Sequence, residues 1–185
     1  QEKIPIIESA IRNPINPYGQ TKLDDEYLVE KYSKLGAKII GLRYFNIFGK
    51  GQTVEYAGVI TKFIERLKEG KAPIIFGKGS QIRDFIYVED VASAFVASIE
   101  NGDGKLFNIG TGTETSIQHL YKEMALAVGI DIDPGKEAGR SGEIERSSLD
   151  PSLAGKILGW EPTTNLRDGI HSTMEWFASK KDENF

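Results

Sequence analysis

Tyr18 and Lys22 stand four residues apart in Asn16-Pro17-Tyr18-Gly19-Gln20-Thr21-Lys22, a spacing that puts both side chains on one face of a helix. An unperturbed tyrosine titrates at about 10, too high for a base at neutral pH. A fixed ammonium beside a phenol favours the ionised form. The pair is therefore suited to trading a proton with a substrate hydroxyl while hydride leaves the same carbon. Chance also places tyrosine and lysine four apart in many helices, so the surroundings of the pair decide its meaning.

Residues 1–17 read as an irregular lead-in, because Pro5, Pro14 and Pro17 restrict the residues before them. The periodicity predicts a helix over 18–35, with Leu23, Tyr27, Leu28, Tyr32 and Leu35 as its buried stripe and Gly36 as its stop. Its acidic cluster Asp24-Asp25-Glu26 falls near the start, where the helix dipole favours negative charge, and a solvated face accounts for all three. Residues 38–44 read as a buried strand running into Phe45-Asn46-Ile47-Phe48-Gly49. Ligands of open α/β sheets gather beyond the C-terminal ends of strands, which puts Asn46 where a ligand would lie. An asparagine taken for the turn it favours is the alternative.

A helix over 57–69 gathers Val59, Ile60, Phe63, Ile64 and Leu67 on one side and serves as core packing. Strands at 73–76 and 83–88 flank a turn at Gly77-Lys78-Gly79-Ser80. Helix 89–100 turns Val91, Ala94, Phe95 and Ser98 inward, and a strand follows at 105–110. Thr115 is expected to cap a helix over 116–128 built on Ile117, Leu120, Tyr121, Met124 and Val128. Residues 129–150 are the least regular. Pro151 starts a short helix ended by Gly159, and a last helix over 166–180 packs Leu166, Ile170, Met174 and Phe177 inward. His119 and His171 read as packed or solvated residues rather than ligands. Trp160 and Trp176 read as packing. The alternation of strands and helices makes the fold class α/β.

With 39% hydrophobic and 27% charged residues, the 185-residue chain has the composition of a globular protein with one good core. A net charge of −4 from 23 basic and 27 acidic residues, without a basic run, argues against a nucleic-acid partner. No apolar run approaches a membrane span, and no secretory leader opens the sequence, so cytoplasm is the expected compartment. The absence of cysteine excludes disulfides and thiolate metal sites.

Ile4-Pro5-Ile6-Ile7-Glu8, leading into Asn13-Pro14-Ile15-Asn16-Pro17-Tyr18-Gly19-Gln20-Thr21-Lys22-Leu23, resembles the catalytic segment of the extended short-chain dehydrogenase/reductases, the nucleotide-sugar epimerases and dehydratases. Four further stretches match in order: Leu42-Arg43-Tyr44-Phe45-Asn46-Ile47-Phe48-Gly49, the run from Phe76 to Val91 around Gln81-Ile82-Arg83-Asp84-Phe85, Phe107-Asn108-Ile109-Gly110-Thr111-Gly112, and Leu158-Gly159-Trp160-Glu161-Pro162. The resemblance implies the C-terminal part of a Rossmann-type doubly wound parallel sheet plus a smaller α/β substrate-binding domain. Residues 1–50 would belong to the dinucleotide-binding domain and 51–185 mainly to the nucleotide-sugar domain, with strand 105–110 returning to the Rossmann sheet. The family's opening glycine-rich turn and its serine or threonine have no counterpart, so the chain reads as the C-terminal half of a larger enzyme.

In the family a bound NAD removes hydride from C4 of the sugar, Tyr18 takes the hydroxyl proton, and Lys22 holds the nicotinamide ribose. Asn46, Arg83 and Arg140 would bind the nucleotide-sugar. Arg83 suits phosphate oxygens through its planar fork of donors, and Arg140 falls in the pattern Arg140-Ser141-Gly142-Glu143. A surface ion pair with Asp84 is the alternative for Arg83, and an ordinary solvated charge for Arg140. The expected reaction is that of the UDP-glucose 4-epimerase-like branch, through a 4-keto intermediate returned on its opposite face. A 4,6-dehydratase or decarboxylase of the same family is the alternative, and a non-catalytic nucleotide-sugar-binding fragment is the alternative of another class. A homodimer is expected, with Tyr27 and Tyr32 as outward anchors.

Overall fold

The computed structural model describes residues 3–53, 58–139 and 144–179. Its elements run α1 (Pro17–Lys34), β1 (Gly41–Tyr44), β2 (Asn46–Phe48), α2 (Val59–Lys68), β3 (Ile74–Phe76), β4 (Ile82–Arg83), β5 (Phe85–Tyr87), α3 (Val88–Ser98), β6 (Leu106–Ile109), β7 (Thr115–Ser116), α4 (Ile117–Val128), β8 (Gly135–Glu137), α5 (Ser152–Leu158) and α6 (Leu166–Ser179). The fold is α/β. Three strand pairs are parallel, β1 with β6, β2 with β5 and β3 with β8, while β4 pairs antiparallel with β7.

Two apolar clusters lie on opposite faces of β5. Phe85 and Tyr87 point into one, with Ile60, Phe63, Ile64 and Leu67 of α2, Leu120 and Met124 of α4, and Ile170 and Phe177 of α6. Ile86 points into the other, with Val91 and Ala94 of α3, Phe107 and Ile109 of β6, and Leu158 and Trp160. That alternation follows from the two-residue period of a strand. The Trp160 indole donates to the Asp90 carbonyl (3.1 Å) and the Ser93 hydroxyl (2.9 Å), so its polar edge is satisfied inside the core.

The six expected helices hold to within two residues at each end, but Val128, expected inward on α4, is 39% exposed, and the strand expected to be buried over 38–44 shortens to β1, none of whose residues is fully buried. On α1 the expected stripe is not buried: Tyr27, Leu28, Tyr32 and Leu35 are 51%, 48%, 46% and 73% exposed, and Val29 is the buried residue instead. Polar ties, described below, hold this helix. Its start at Pro17 also leaves Asp24-Asp25-Glu26 beyond the first turn, and Glu26 is an ion-pair partner rather than a solvated charge. On α3, Phe95 faces outward at 52% exposure against the Tyr44 ring, 6.4 Å away. Ser116, not Thr115, caps α4, accepting the His119 N–H at 3.0 Å; Thr115 is spent on β7. The strand expected over 83–88 breaks at Asp84 into two strands with different partners, because the Asp84 carboxylate is drawn inward to backbone donors.

Candidate functional site

Asn16 caps α1, its Oδ1 accepting the Gly19 N–H at 2.7 Å, and Pro17 occupies the first turn where its missing N–H costs nothing. The cap sets Tyr18 in that first turn, 73% exposed. Lys22 lies one turn on, with Nζ 5.8 Å from the Tyr18 ring centroid, so the two functional groups share a face as their spacing predicts. Asp25 holds the Lys22 ammonium at 3.0 Å and raises its pKa above the usual lysine value, first through that hydrogen bond and then through its charge. Lys22 therefore keeps its charge at neutral pH.

Two arginines fix the helix carrying this pair. Arg43 of β1 grips Glu26 with its guanidinium fork, Nη2 donating at 2.7 Å, while Nη1 donates to the Glu8 carbonyl at 2.9 Å. Arg12 reaches Glu30 at 2.8 Å and Glu26 at 3.3 Å. The bidentate pair is about four-fifths buried on both sides, where such a pair is stronger than an exposed one. The Lys22 charge also senses Tyr44, the last residue of β1, and Asn46 follows two residues later.

Asn46 and Arg83 line one cavity of about 510 Å³. The Asn46 amide donates to the Asp84 carbonyl at 2.9 Å, which fixes its orientation. Arg83 donates to the Ile82 carbonyl at 2.8 Å and the Ile144 carbonyl at 2.6 Å. Phe63, Phe76 and Phe85 supply apolar walls, and Lys62, Glu65 and Arg66 of α2 bring further charge. Arg66 is anchored through Nε to the Ala72 carbonyl at 2.7 Å. Three cations against one carboxylate, around aromatic walls, suit a ligand with a flat base and a negative diphosphate.

Two of the expected site residues therefore meet in the cavity and two on the face of α1; neither Tyr18 nor Lys22 lines the cavity. Arg140 lies outside the described residues. Lys62, Glu65 and Arg66 escape a reading that assigns α2 to packing alone. Their i, i+3, i+4 spacing is the signal that places them on one face. Among the described residues no group of three or more histidines, cysteines or acidic side chains could hold a metal ion. Nor is any helix among them long and apolar enough to cross a membrane.

Comparison with known proteins gives a consistent answer. The UDP-glucose 4-epimerase of Mycolicibacterium smegmatis is 38% identical over 179 residues, covering 95% of this chain and 57% of that protein. Human dTDP-D-glucose 4,6-dehydratase is 33% identical over 193 residues, covering 96% of this chain and 51% of its own length. The crystal structure of Thermotoga maritima UDP-glucose 4-epimerase with UDP-glucose superposes with a TM-score of 0.94 at 37% identity, over 97% of this chain and 59% of that one. The chain thus spans between half and three-fifths of the length of these relatives. Its fold is the corresponding part of a Rossmann-type epimerase. The NAD dependent epimerase/dehydratase family matches residues 1–110, and the chain belongs to that family.

Proposed function

We propose that this chain carries the substrate-binding and proton-transfer residues of an NAD-dependent nucleotide-sugar 4-epimerase, an isomerase acting on UDP-glucose or a related UDP-sugar. The observation that carries the reading is the meeting of Asn46 and Arg83 in one aromatic-walled cavity, on a chain whose capped helix presents Tyr18 and Lys22 on one open face. Arg83 and Asn46 hold the diphosphate, and Arg140, outside the described residues, is assigned to the same ligand by its sequence pattern alone. The anchored diphosphate lets the sugar turn while its leaving point stays fixed, the condition for returning the C4 hydrogen on the other face.

The exposed phenol and charged ammonium on one helix face fit the hydroxyls of a nicotinamide ribose, so Tyr18 and Lys22 are the residues that would hold NAD. When bound, the nicotinamide supplies reversible two-electron oxidation at C4. Tyr18 takes the C4 hydroxyl proton and later returns it. Lys22 places a positive charge beside the phenolate that accepts this proton and that is restored when the proton is returned. Residues 1–50 and the strand at 105–110 would form part of the cofactor-binding domain, and most of 51–185 the substrate domain. The parallel β1–β6 pair supports that division. The exposed Tyr27 and Tyr32 support a homodimer through α1, and the compartment is cytoplasmic.

The test is NAD released on denaturing the purified protein, followed by conversion of UDP-glucose to UDP-galactose. In a protein that also carries the glycine-rich cofactor half, stoichiometric NAD and turnover abolished by Tyr18→Phe are expected. UDP-sugar binding without NAD would instead make the chain a binding module. A second reading, 4,6-dehydration, is favoured by the likeness to human dTDP-D-glucose 4,6-dehydratase; a 4-keto-6-deoxy product in place of the C4 epimer would establish it.

A further inference from the structure

We infer that Asp84 is the positioning residue of the nucleotide site, a role that rests on the function proposed above. Its side chain is fully buried, yet it has no place in the cavity lining. Oδ1 accepts from the Thr111 N–H (3.0 Å) and hydroxyl (2.6 Å), and Oδ2 accepts from the N–H groups of Gly112 (3.1 Å) and Leu149 (3.2 Å). Four donors from two distant segments thus converge on one carboxylate. Its own carbonyl accepts the Asn46 amide at 2.9 Å. The preceding residue, Arg83, donates to the Ile144 carbonyl, five residues before Leu149.

Asp84 therefore joins the Asn46 side chain to the strand break that carries Arg83. Side chain and backbone of one residue tie the end of β6, the 144–149 segment and the start of β2 to the strand break that carries Arg83. Space at the junction is tight: a Cβ on Gly110 would lie 2.7 Å from Asp84 Oδ2 and 3.0 Å from the Leu149 Cβ. A buried carboxylate satisfied by four donors is acceptor-only. An asparagine of the same shape would turn two N–H groups toward donors that need an acceptor.

The experiment is calorimetric titration of the protein with UDP, with near-ultraviolet circular dichroism to establish folding. Asp84→Asn is expected to weaken UDP binding by about tenfold or more, the scale of losing hydrogen bonds to a charged group, and Thr111→Val by about threefold. In a background lacking both groups it positions, Arg83→Lys with Asn46→Ala, Asp84→Asn should add no further loss, because Asp84 acts through them. Unchanged affinity in a folded Asp84→Asn protein, or an independent loss on top of that double variant, would overturn the assignment. Should Asp84→Asn fail to fold, Thr111→Val decides alone, and wild-type affinity there overturns it. If the unaltered protein binds no UDP, the proposed function fails instead. Hydrogen exchange then tests Asp84 separately: faster exchange at Thr111, Gly112 and Leu149 in Thr111→Val is expected, and unchanged rates would refute the anchoring.

Discussion

Helix α1 and the layer formed by α2, α4 and α6 both hold functional side chains in place, by different physical means. In the layer, Phe63 of α2 meets Tyr121 of α4 edge to face at 6.1 Å, and residues of all three helices share one buried apolar cluster. The cavity bearing Asn46 and Arg83 opens on that cluster, so its walls inherit the rigidity of close packing. Helix α1 buries Val29 alone and leaves four large apolar residues about half exposed or more. What fixes it is a cap at Asn16 and the guanidinium groups of Arg43 and Arg12 on Glu26 and Glu30. The cavity walls thus rest on hydrophobic packing, and the proton-transfer pair rests on ion pairs. Perturbations of the two should separate.

The largest expected effect is on the packed side. Phe63→Ala removes a ring at 2% exposure from between α2 and α4 and should cost about 3–5 kcal/mol, read by denaturant unfolding. Because the same ring walls the cavity, binding should weaken with it. Next in size, Arg83→Ala should leave the unfolding midpoint nearly unchanged while weakening UDP by about 1.5–3 kcal/mol, the range for hydrogen bonds to charged groups. A large stability loss would instead make Arg83 a structural arginine.

On the tethered side, Glu26→Gln takes away the charge held by both Arg43 and Arg12. The expected result is faster hydrogen exchange along α1 with little change in α2, α4 and α6. Equal acceleration everywhere would show that the two regions are one cooperative unit. The smallest effect concerns acid. Arg167 holds the Glu123 carboxylate below its usual value, chiefly through hydrogen bonding, in an ion pair at 2.8 Å that ties α4 to α6. A carboxylate with a depressed folded-state pKa contributes stability that is present above its unfolded value, 4.5, and is lost as pH falls through the lower folded value. Glu123→Gln should therefore slightly lower stability at neutral pH and flatten the acid side of the stability profile, with the two proteins converging at low pH.

The same contrast governs what was legible beforehand. Helices α2, α4 and α6 carry strong 3.6-residue periodicity, and their inward residues Ile60, Phe63, Leu120, Met124, Ile170 and Phe177 are all buried. Helix α1 shows an apolar pattern too, but Tyr27, Leu28 and Tyr32 stand outward, because an ion-pair tether leaves no trace in hydrophobic periodicity. Tyr18, Lys22, Asn46 and Arg83 were visible as motif residues, and the fold brings them together in two pairs. Lys62 and Arg66 were hidden inside a helix that packing already explained. The break at Asp84 could not be read locally, since its donors come from 27, 28 and 65 residues away along the chain.

The most direct test of the account is titration of the isotopically labelled protein with UDP, followed residue by residue in amide NMR spectra. Shifts are expected at Asn46, Arg83 and the cavity-facing side of α2, with Tyr18 and Lys22 unmoved. Shifts gathered around Tyr18 and Lys22, with Asn46 and Arg83 silent, would contradict it.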